Sequence, residues 1–292
     1  MKPAPFAYVR ATSVADTLAV LDSDPQVKLL AGGQSLLAVM NLRLARPSRI
    51  LDIGQLRELD RVFDDDDSIL IGALRTHRRV ETDPLIRARV PLLAEAARHI
   101  GHVAIRNRGT LGGSLAHADP AGELPAAMVA LGATLYVESH TRARREIAAE
   151  DFFTSLFTTA LEPSDMLTWI RVPASHPTTG WGFTEVARRH GDFALAGAAA
   201  QITLAADGVV TRARAVLFGV ADRPVLVTAV EQTVGNRPDP STWRQVAREA
   251  AAALEPADEP EYQRHLAVTS LTRAFTQAAD RSRAAHHRGT QS

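Results

Sequence analysis

Two glycine-rich stretches carry residue types that could bind an anion. LLAGGQSLLAVM spans residues 29–40 and RGTLGGSLAHA spans residues 108–118, and each places a Gly-Gly pair and a serine before a helix-like segment. Glycine permits positive φ and lets a ligand contact the main chain, and unpaired N–H groups in front of a helix form an anion site. A diphosphate suits two such loops, with further hydroxyl hydrogen bonds from Ser35, Thr110 and Ser114.

The spacing of these glycines limits that interpretation. Neither stretch matches G-x-G-x-x-G or the P-loop with its Lys-Ser/Thr, so the sequence does not favour a Rossmann or ATPase site. A single Gly-Gly loop followed by a serine is more often a tight turn, whereas two such loops favour a diphosphate site. From the residues alone, both interpretations stay open.

Composition excludes several classes of protein. The 292 residues include 33 Lys+Arg and 33 Asp+Glu with no long basic run, unlike a nucleic-acid binder. There is no cysteine, so the chain cannot carry a disulfide, a thiolate zinc site or an iron–sulfur cluster of its own. His99 and His102 lack a third ligand at a recognisable spacing, and we expect no metal site. No signal-peptide core or long apolar segment is present, so we expect a cytoplasmic protein without a membrane span.

The pattern of apolar residues predicts an α+β chain. Short strands and helices alternate up to a turn-rich segment, PASHPTTG, at 173–180. The four aspartates at 64–67 are predicted to lie at the tip of a hairpin over 61–72, as a solvated turn. A strongly apolar helix is predicted over 123–131. After the turn-rich segment, we predict strands at 181–188, 196–205 and 212–220, and helices at 224–235, 241–254 and 262–279.

Three ordered motifs point to a known family: AGGQS at 31–35, TLGGS at 110–114 and AHADPAGELPAAMVALGA at 116–133. Further segments that match this family are LRLARPSRILDI at 42–53, IGALRTH at 71–77, PLLAEAARHI at 91–100, VAIRNRGTLGG at 103–113 and RHGDFALAGAAA at 189–200. Over residues 3 to 279, the chain resembles the FAD-binding middle subunit of molybdenum hydroxylases, such as the carbon monoxide dehydrogenase and xanthine dehydrogenase flavoproteins.

The resemblance implies a fold and its division into domains. It implies a two-subdomain FAD-binding domain of the type shared with p-cresol methylhydroxylase-like flavoproteins, at 1–173, with subdomains of about 1–55 and 56–173. A smaller C-terminal domain of β-sheet plus helices would follow at 174–280. The tail, 281–292, is polar, and we expect it to be disordered.

The resemblance also implies which residues surround the cofactor. The first loop would contribute Lys28, Leu29, Leu30, Ala31, Gly32, Gly33, Gln34, Ser35 and Leu36, and the second loop Thr110, Gly112, Gly113 and Ser114. Glu123 would hydrogen-bond the sugar-alcohol chain of the flavin, Leu167 would lie near its ring, and Asp119 matches an acid common in bacterial relatives. Gln34 stands where distant flavoenzymes carry a covalently bonded histidine, so FAD is expected to be non-covalent.

Two further positions have alternative interpretations. Phe193 is either a flavin-ring contact or an ordinary core residue, and His117 is either a cofactor contact or a hydrogen-bonded loop residue. The chain also departs from the family after Phe183, where relatives commonly carry a lysine and this chain carries Thr184 and Glu185. Loss of that positive charge would lower the flavin potential, unless a neighbouring arginine replaces it.

By the resemblance, the chain is an FAD-dependent oxidoreductase subunit in which the flavin, and no side chain, carries the chemistry. It would take electrons from the iron–sulfur clusters of a small [2Fe–2S] partner and pass them to an acceptor. The substrate would be oxidised at a large molybdenum-cofactor partner. The alternatives are a stand-alone FAD oxidoreductase or monooxygenase, and a flavin-free binding or scaffold protein.

Overall fold

The chain begins with a small parallel sheet. The computed structural model describes residues 1–256 and 259–289. In chain order, the first elements are β1 (Ala7–Arg10), α1 (Val14–Ser23), β2 (Val27–Leu30), α2 (Leu36–Asn41) and β3 (Arg49–Asp52). The sheet order is β1-β3-β2, with both pairs parallel. The Ser13 hydroxyl accepts the Asp16 N–H at 3.0 Å and so caps α1.

A larger antiparallel sheet follows. Its strands are β4 (Val62–Asp65), β5 (Ser68–Gly72), β6 (Thr134–Glu138), β7 (Arg145–Ala148) and β10 (Met166–Pro173), while β8 (Phe153–Ser155) and β9 (Thr158–Thr159) form a separate ribbon. The order is β4-β5-β10-β6-β7. The aspartates at 64–67 lie at the β4–β5 turn, which confirms the predicted hairpin.

Seven helices belong to this second unit: α3 (His77–Thr82), α4 (Pro84–Arg89), α5 (Pro91–His99), α6 (Val103–Arg106), α7 (Leu111–His117), α8 (Glu123–Leu131) and α9 (Ala149–Phe152). α8 has the bounds that the sequence predicts. Every residue from Leu124 to Leu131 is buried, because α8 contacts α5 and β10 as well as β12 (Ala194–Leu204) and β13 (Val210–Phe218) of the next sheet. A helix that is apolar all round needs such a position between two layers.

The C-terminal sheet is an antiparallel meander. It orders β11 (Thr179–Ala187), β12, β13 and β14 (Val225–Leu226). α10 (Pro240–Ala252) and α11 (Pro260–Gly289) pack on it, and their apolar residues join those of the sheet in one core. β12 therefore has both faces covered, and most of its residues are buried. Because α5 and α8 both contact the C-terminal sheet, and α8 also contacts β10, α8 begins where the two large sheets meet.

Two sequence predictions for the C-terminal unit are wrong. The segment predicted as a helix at 224–235 contains β14 and a short 3₁₀ helix at Thr228–Thr233, because Val225 and Leu226 pair with β13. The tail was expected to be disordered over 281–292, but α11 continues through Gly289. Ser282 holds that part of the helix in place: its hydroxyl donates to the Thr178 carbonyl and accepts the Leu204 N–H at 3.0 Å. Residues 290–292 lie outside the described residues.

Across 1–256 and 259–289, no helix has both the length and the apolar character needed to cross a membrane.

Candidate cofactor site

The two glycine loops meet through their backbones. A Cβ on Gly32 would lie 2.1 Å from the Arg108 carbonyl oxygen and 2.8 Å from the Gly109 Cα, so only glycine lets the loops approach this closely. Gly33 has φ +74°, in the left-handed region that favours glycine. The structure therefore joins the two stretches, far apart in sequence, into one surface.

The first loop offers a row of free donors. It connects β2 to α2, and its residues are half-buried. The N–H groups of residues 32–35 donate no backbone or side-chain hydrogen bond within the part of the chain that the structure describes. The Gln34 side chain donates to the Gly32 carbonyl at 3.2 Å and orients the loop. Such a row of N–H groups is suited to phosphate oxygens.

The second loop differs from the prediction. Its N–H groups at 111–114 all donate to acceptors of the protein: Gly112 N–H bonds the Ala73 carbonyl at 2.7 Å, and Gly113 N–H bonds the Thr110 hydroxyl at 3.1 Å. Unpaired N–H groups were therefore correctly expected in the first loop and wrongly expected in the second. The reason is that residues 111–114 form the first turn of α7, where Thr110 accepts the last two of these N–H groups and the carbonyls of Arg75 and Ala73 accept the first two. The second loop is a wall beside the first, not a second row of donors.

A cleft of about 490 Å³ opens beside the first loop. It lies between the N-terminal sheet and the second unit, and its size is that of a small-molecule site. Its polar lining includes Arg57, Arg78, Arg79, Asn107 and Arg108. Arg78 pairs with Glu81 and Arg79 with Asp60, whereas the guanidinium groups of Arg57 and Arg108 pair with no described carboxylate. Asp52 also lines the cleft without a cationic partner, so free positive charge exceeds free negative charge next to the N–H row.

A second group of titratable residues lies at the end of α7. Burial is the largest cause lowering the pKa of His117; Asp119 acts in the opposite direction, and Lys28 lowers the pKa further. Asp119 and Lys28 therefore both lie within electrostatic reach of His117. The His117 ring also contacts the Phe157 ring, with centroids 5.3 Å apart.

Glu123 is the first residue of α8 and is half-buried. Burial raises the pKa of its carboxyl group to about 8. Its own backbone N–H opposes this shift, and the nearby carboxylates of Glu185 and Asp119 add to it. The acid predicted to contact the flavin is therefore neutral at pH 7.

Sequence reasoning missed one contact near this group. Glu185 of β11 places Oε1 3.3 Å from Nδ1 of His99, at the end of α5. The other carboxylate oxygen, Oε2, is buried without a hydrogen-bond partner among the described residues. The His99 ring contacts the Phe183 ring at 4.9 Å. Glu185 stands next to the position of the missing family lysine, but no sequence pattern indicates His99 as its partner.

The remaining predicted residues are divided between core and surface. Leu167 is buried at a bulge of β10 and belongs to the main core. Phe193 is 67% exposed, which excludes its interpretation as a core residue and leaves the ring contact as a prediction. Over 1–256 and 259–289, no group of His, Asp and Glu side chains is arranged to hold a metal ion.

The pKa of Glu123 predicts how stability depends on pH. Its carboxyl group titrates near 4.5 when unfolded and near 8 when folded, so the folded state holds more protons between these values. The free energy of unfolding of FAD-free protein should therefore fall as pH rises, by at most about 1.4 kcal/mol per pH unit from this group. Glu123→Gln should remove that dependence.

Urea unfolding at about pH 5 and at pH 8 measures this effect. We expect Glu123→Gln to gain stability relative to the wild type between the two pH values. Glu231→Gln, which changes an exposed glutamate, is the control and should show no such gain. An equal difference between Glu123→Gln and the wild type at both pH values would contradict the assignment.

Comparison with known proteins agrees with this geometry. Residues 4–175 match the family described as the FAD binding domain in molybdopterin dehydrogenase, and residues 181–278 match the CO dehydrogenase flavoprotein C-terminal domain. Caffeine dehydrogenase subunit beta of Pseudomonas sp. (strain CBB1) is 39% identical over 287 residues, covering 96% of this chain and 97% of the relative.

Solved structures extend the likeness to the whole fold. Carbon monoxide dehydrogenase from Hydrogenophaga pseudoflava matches with a TM-score of 0.93 at 35% identity, over 96% of this chain and 99% of that one. Quinoline 2-oxidoreductase from Pseudomonas putida 86 matches with a TM-score of 0.92 at 36% identity, over 97% and 100%. This chain therefore belongs to the FAD subunits of the molybdenum hydroxylases, which are components of FAD-dependent oxidoreductase complexes.

Proposed function

We propose that the first glycine loop binds the diphosphate of FAD. The observation that carries this proposal is the row of free N–H groups at 32–35. Two further observations support the fit to the cofactor. Gly33 has a left-handed backbone conformation and no side chain that would cover the N–H groups. The cleft beside the loop is lined by Arg57 and Arg108, whose guanidinium groups pair with no described carboxylate. A diphosphate would satisfy these donors with charge-assisted hydrogen bonds.

The two halves of FAD would then lie on opposite sides of this loop. The cleft has the volume and the polar lining for the adenosine half. The other half would extend towards His117, Asp119 and Glu123, with Leu167 and Phe193 as candidate ring contacts. The proposal includes a two-subdomain arrangement of the type shared with p-cresol methylhydroxylase-like flavoproteins, with subdomains of about 1–55 and 56–173.

Bound FAD supplies the capacity to accept and release electrons. The chain's own residues bind and orient it: residues 32–35 through N–H groups, Ser114 through its hydroxyl, and the second loop as a wall. Gly112 serves the fold, because a Cβ there would lie 2.5 Å from the Cβ of Ala73. We assign no side chain a catalytic role.

The proposal includes two partner chains. A small [2Fe–2S] subunit would deliver electrons and a large molybdenum-cofactor subunit would oxidise the substrate, as the family membership suggests. The chain itself contains no cysteine to hold a cluster. The stand-alone flavoenzyme and the flavin-free scaffold are not favoured by the relatives, which include subunits of a dehydrogenase complex and carbon monoxide dehydrogenase medium chains.

Native purification from the source cells tests the partners. We expect flavin, iron and molybdenum to copurify with this chain, and cell fractionation to place the assembly in the cytoplasm. A yellow and catalytically competent single chain without molybdenum or iron would overturn the assignment of partners while leaving the FAD site intact.

A further inference from the structure

A half-buried carboxylate lines the cleft beside the first glycine loop. Asp52 is the last residue of β3, and its register partner on the parallel strand β2 is Leu30, the last residue of that strand. The chain runs from β2 directly into the loop, so Asp52 and the N–H groups of residues 32–35 lie at the same edge of the small sheet. Asp52 is therefore a neighbour of the proposed diphosphate site.

Two donors of the protein hold this carboxylate in place. The Tyr8 hydroxyl, on β1, donates to Oδ2, and the Gly54 N–H donates to Oδ1 at 2.8 Å. Gly54 also lies close to the loop, because a Cβ there would be 3.1 Å from Oδ1 of Asp52 and 3.5 Å from the Ala31 carbonyl oxygen. A carboxylate has about four acceptor positions, two on each oxygen. Each oxygen of Asp52 therefore keeps one position for a ligand.

No cation balances the charge of Asp52 within the part of the chain that the structure describes. Arg10 of β1 donates to the Tyr8 hydroxyl at 3.3 Å and forms no ion pair with Asp52. Asp60, the other acid that lines the cleft, is by contrast paired with two arginines. A free carboxylate repels phosphate oxygens and accepts hydrogen bonds from hydroxyl and amino groups. Asp52 therefore suits a part of the ligand that carries donors.

The order of elements around Asp52 also occurs in dinucleotide-binding folds. β2, the first loop, α2 and β3 form a βαβ unit with parallel strands. In those folds an acid about 20 residues after the glycine-rich turn hydrogen-bonds the ribose next to the diphosphate. Asp52 ends the second strand of the unit, at about that spacing from Gly32. The parallel rests on position, since the glycine spacing of this loop differs from G-x-G-x-x-G.

We propose that Asp52 accepts hydrogen bonds from both hydroxyl groups of the adenosine ribose of FAD. The inference rests on the proposed function, because it requires the diphosphate to lie on the first loop and the adenosine half to lie in the cleft. A single methylene group joins this ribose to the diphosphate, so the ribose then lies beside Asp52. The two free acceptor positions match the adjacent 2′ and 3′ hydroxyl groups. Tyr8 and Gly54 position the carboxylate for this contact.

ADP and its deoxy analogues measure this contact without the flavin. In calorimetric titrations of the flavin-free full-length chain, we expect 2′-deoxy-ADP and 3′-deoxy-ADP each to bind at least about 10-fold more weakly than ADP, because each lacks one hydrogen bond to a charged group. Equal affinity of the three nucleotides overturns the proposal.

Asp52→Asn tests whether the preference for ribose comes from this carboxylate. The variant keeps the shape of the side chain and an oxygen that accepts the Gly54 N–H. The preference for ADP over each deoxy analogue should shrink several-fold, because an amide forms weaker hydrogen bonds with hydroxyl groups than a carboxylate does. A general loss of stability would not change this ratio of affinities. Wild-type preferences in Asp52→Asn overturn the proposal.

Asp207→Asn is the matched control. The Asp207 carboxylate accepts the N–H of Val209, two residues further on, at 3.1 Å, as Asp52 accepts that of Gly54. It lies in the turn between β12 and β13, outside the cleft. The variant should keep the wild-type preferences, and their loss there as well would overturn the assignment to Asp52.

Inosine diphosphate separates contact with the sugar from contact with the base. It keeps the ribose and the diphosphate but lacks the 6-amino group, which is the other kind of donor on adenosine. Its 2′-deoxy form should bind at least about 10-fold more weakly than inosine diphosphate itself, as with ADP. If instead only the loss of the amino group weakens binding, and only when Asp52 is present, Asp52 contacts the base and the proposal is overturned.

The same titrations distinguish this inference from the proposed function. Absence of binding of both FAD and ADP to the wild type would contradict the proposed function. Binding of both, without a preference for the ribose hydroxyl groups, would contradict only the role of Asp52. If Asp52→Asn does not fold, the comparison of nucleotides on the wild type still decides the question, because it changes no residue.

Discussion

Gly32→Ala is expected to abolish retention of FAD through purification. The new Cβ would lie 2.1 Å from the Arg108 carbonyl oxygen and 2.8 Å from the Gly109 Cα, and both are backbone atoms that cannot rotate away. The two loops would have to separate, at a cost near the upper end of the 1–3 kcal/mol typical of overpacking, about 3 kcal/mol. If that cost falls on the bound state, FAD affinity should drop by about 100-fold.

Flavin absorbance relative to protein, followed by calorimetric titration with FAD, measures this loss. Gly132→Ala is the control in the same unit, because nothing lies within 4 Å of a Cβ there and the strain comes from its φ of +65° instead of from a backbone clash. It should cost about 1 kcal/mol of stability through its backbone conformation and leave FAD binding unchanged. A Gly32→Ala protein with wild-type FAD affinity would show that contact between the loops is not needed for the site.

Gly182→Ala is expected to cause a large loss of stability in the C-terminal unit. A Cβ on Gly182 would lie 2.0 Å from the Ala274 carbonyl oxygen, and one on Gly180 would lie 1.8 Å from that of Ala278. The glycines are two residues apart on one face of β11, and the alanines are four apart on one face of α11. Because helix and strand touch through their backbones, α11 must move away, and we expect about 3 kcal/mol of destabilisation.

Urea unfolding and limited proteolysis of α11 measure this effect. Gly208→Ala, in the turn between β12 and β13, provides the control: its φ is +85° but its Cβ position is open, so it should cost only about 1 kcal/mol. Equal stability of Gly182→Ala and Gly208→Ala would contradict the described packing of α11.

The sequence predicts elements whose signal is local. The apolar run of α8 and the hairpin around the four aspartates at 64–67 follow from periodicity and turn chemistry, and the structure confirms both. α11 beyond residue 280 was missed because that part of the helix is polar. It is held by tertiary hydrogen bonds, such as those of Ser282, that no local pattern reveals.

Prediction of the candidate site from the sequence is limited in the same way, because its contacts join residues far apart in the chain. The two Gly-Gly pairs predicted an anion site, but only the fold shows that Gly32 serves contact between the loops and that the N–H groups at 111–114 are already paired. The contact between Glu185 and His99 joins two units and has no spacing to recognise. The exposure of Phe193 likewise depends on how the start of β12 is placed.

The central claim is that the joined glycine loops hold FAD without a covalent bond. Calorimetric titration of the flavin-free full-length chain with FAD tests it most directly. The account predicts one FAD bound per chain, released intact on denaturation, with ADP competing because it carries the diphosphate and the adenosine. Absence of FAD binding, or FAD binding that ADP does not weaken, would contradict the account.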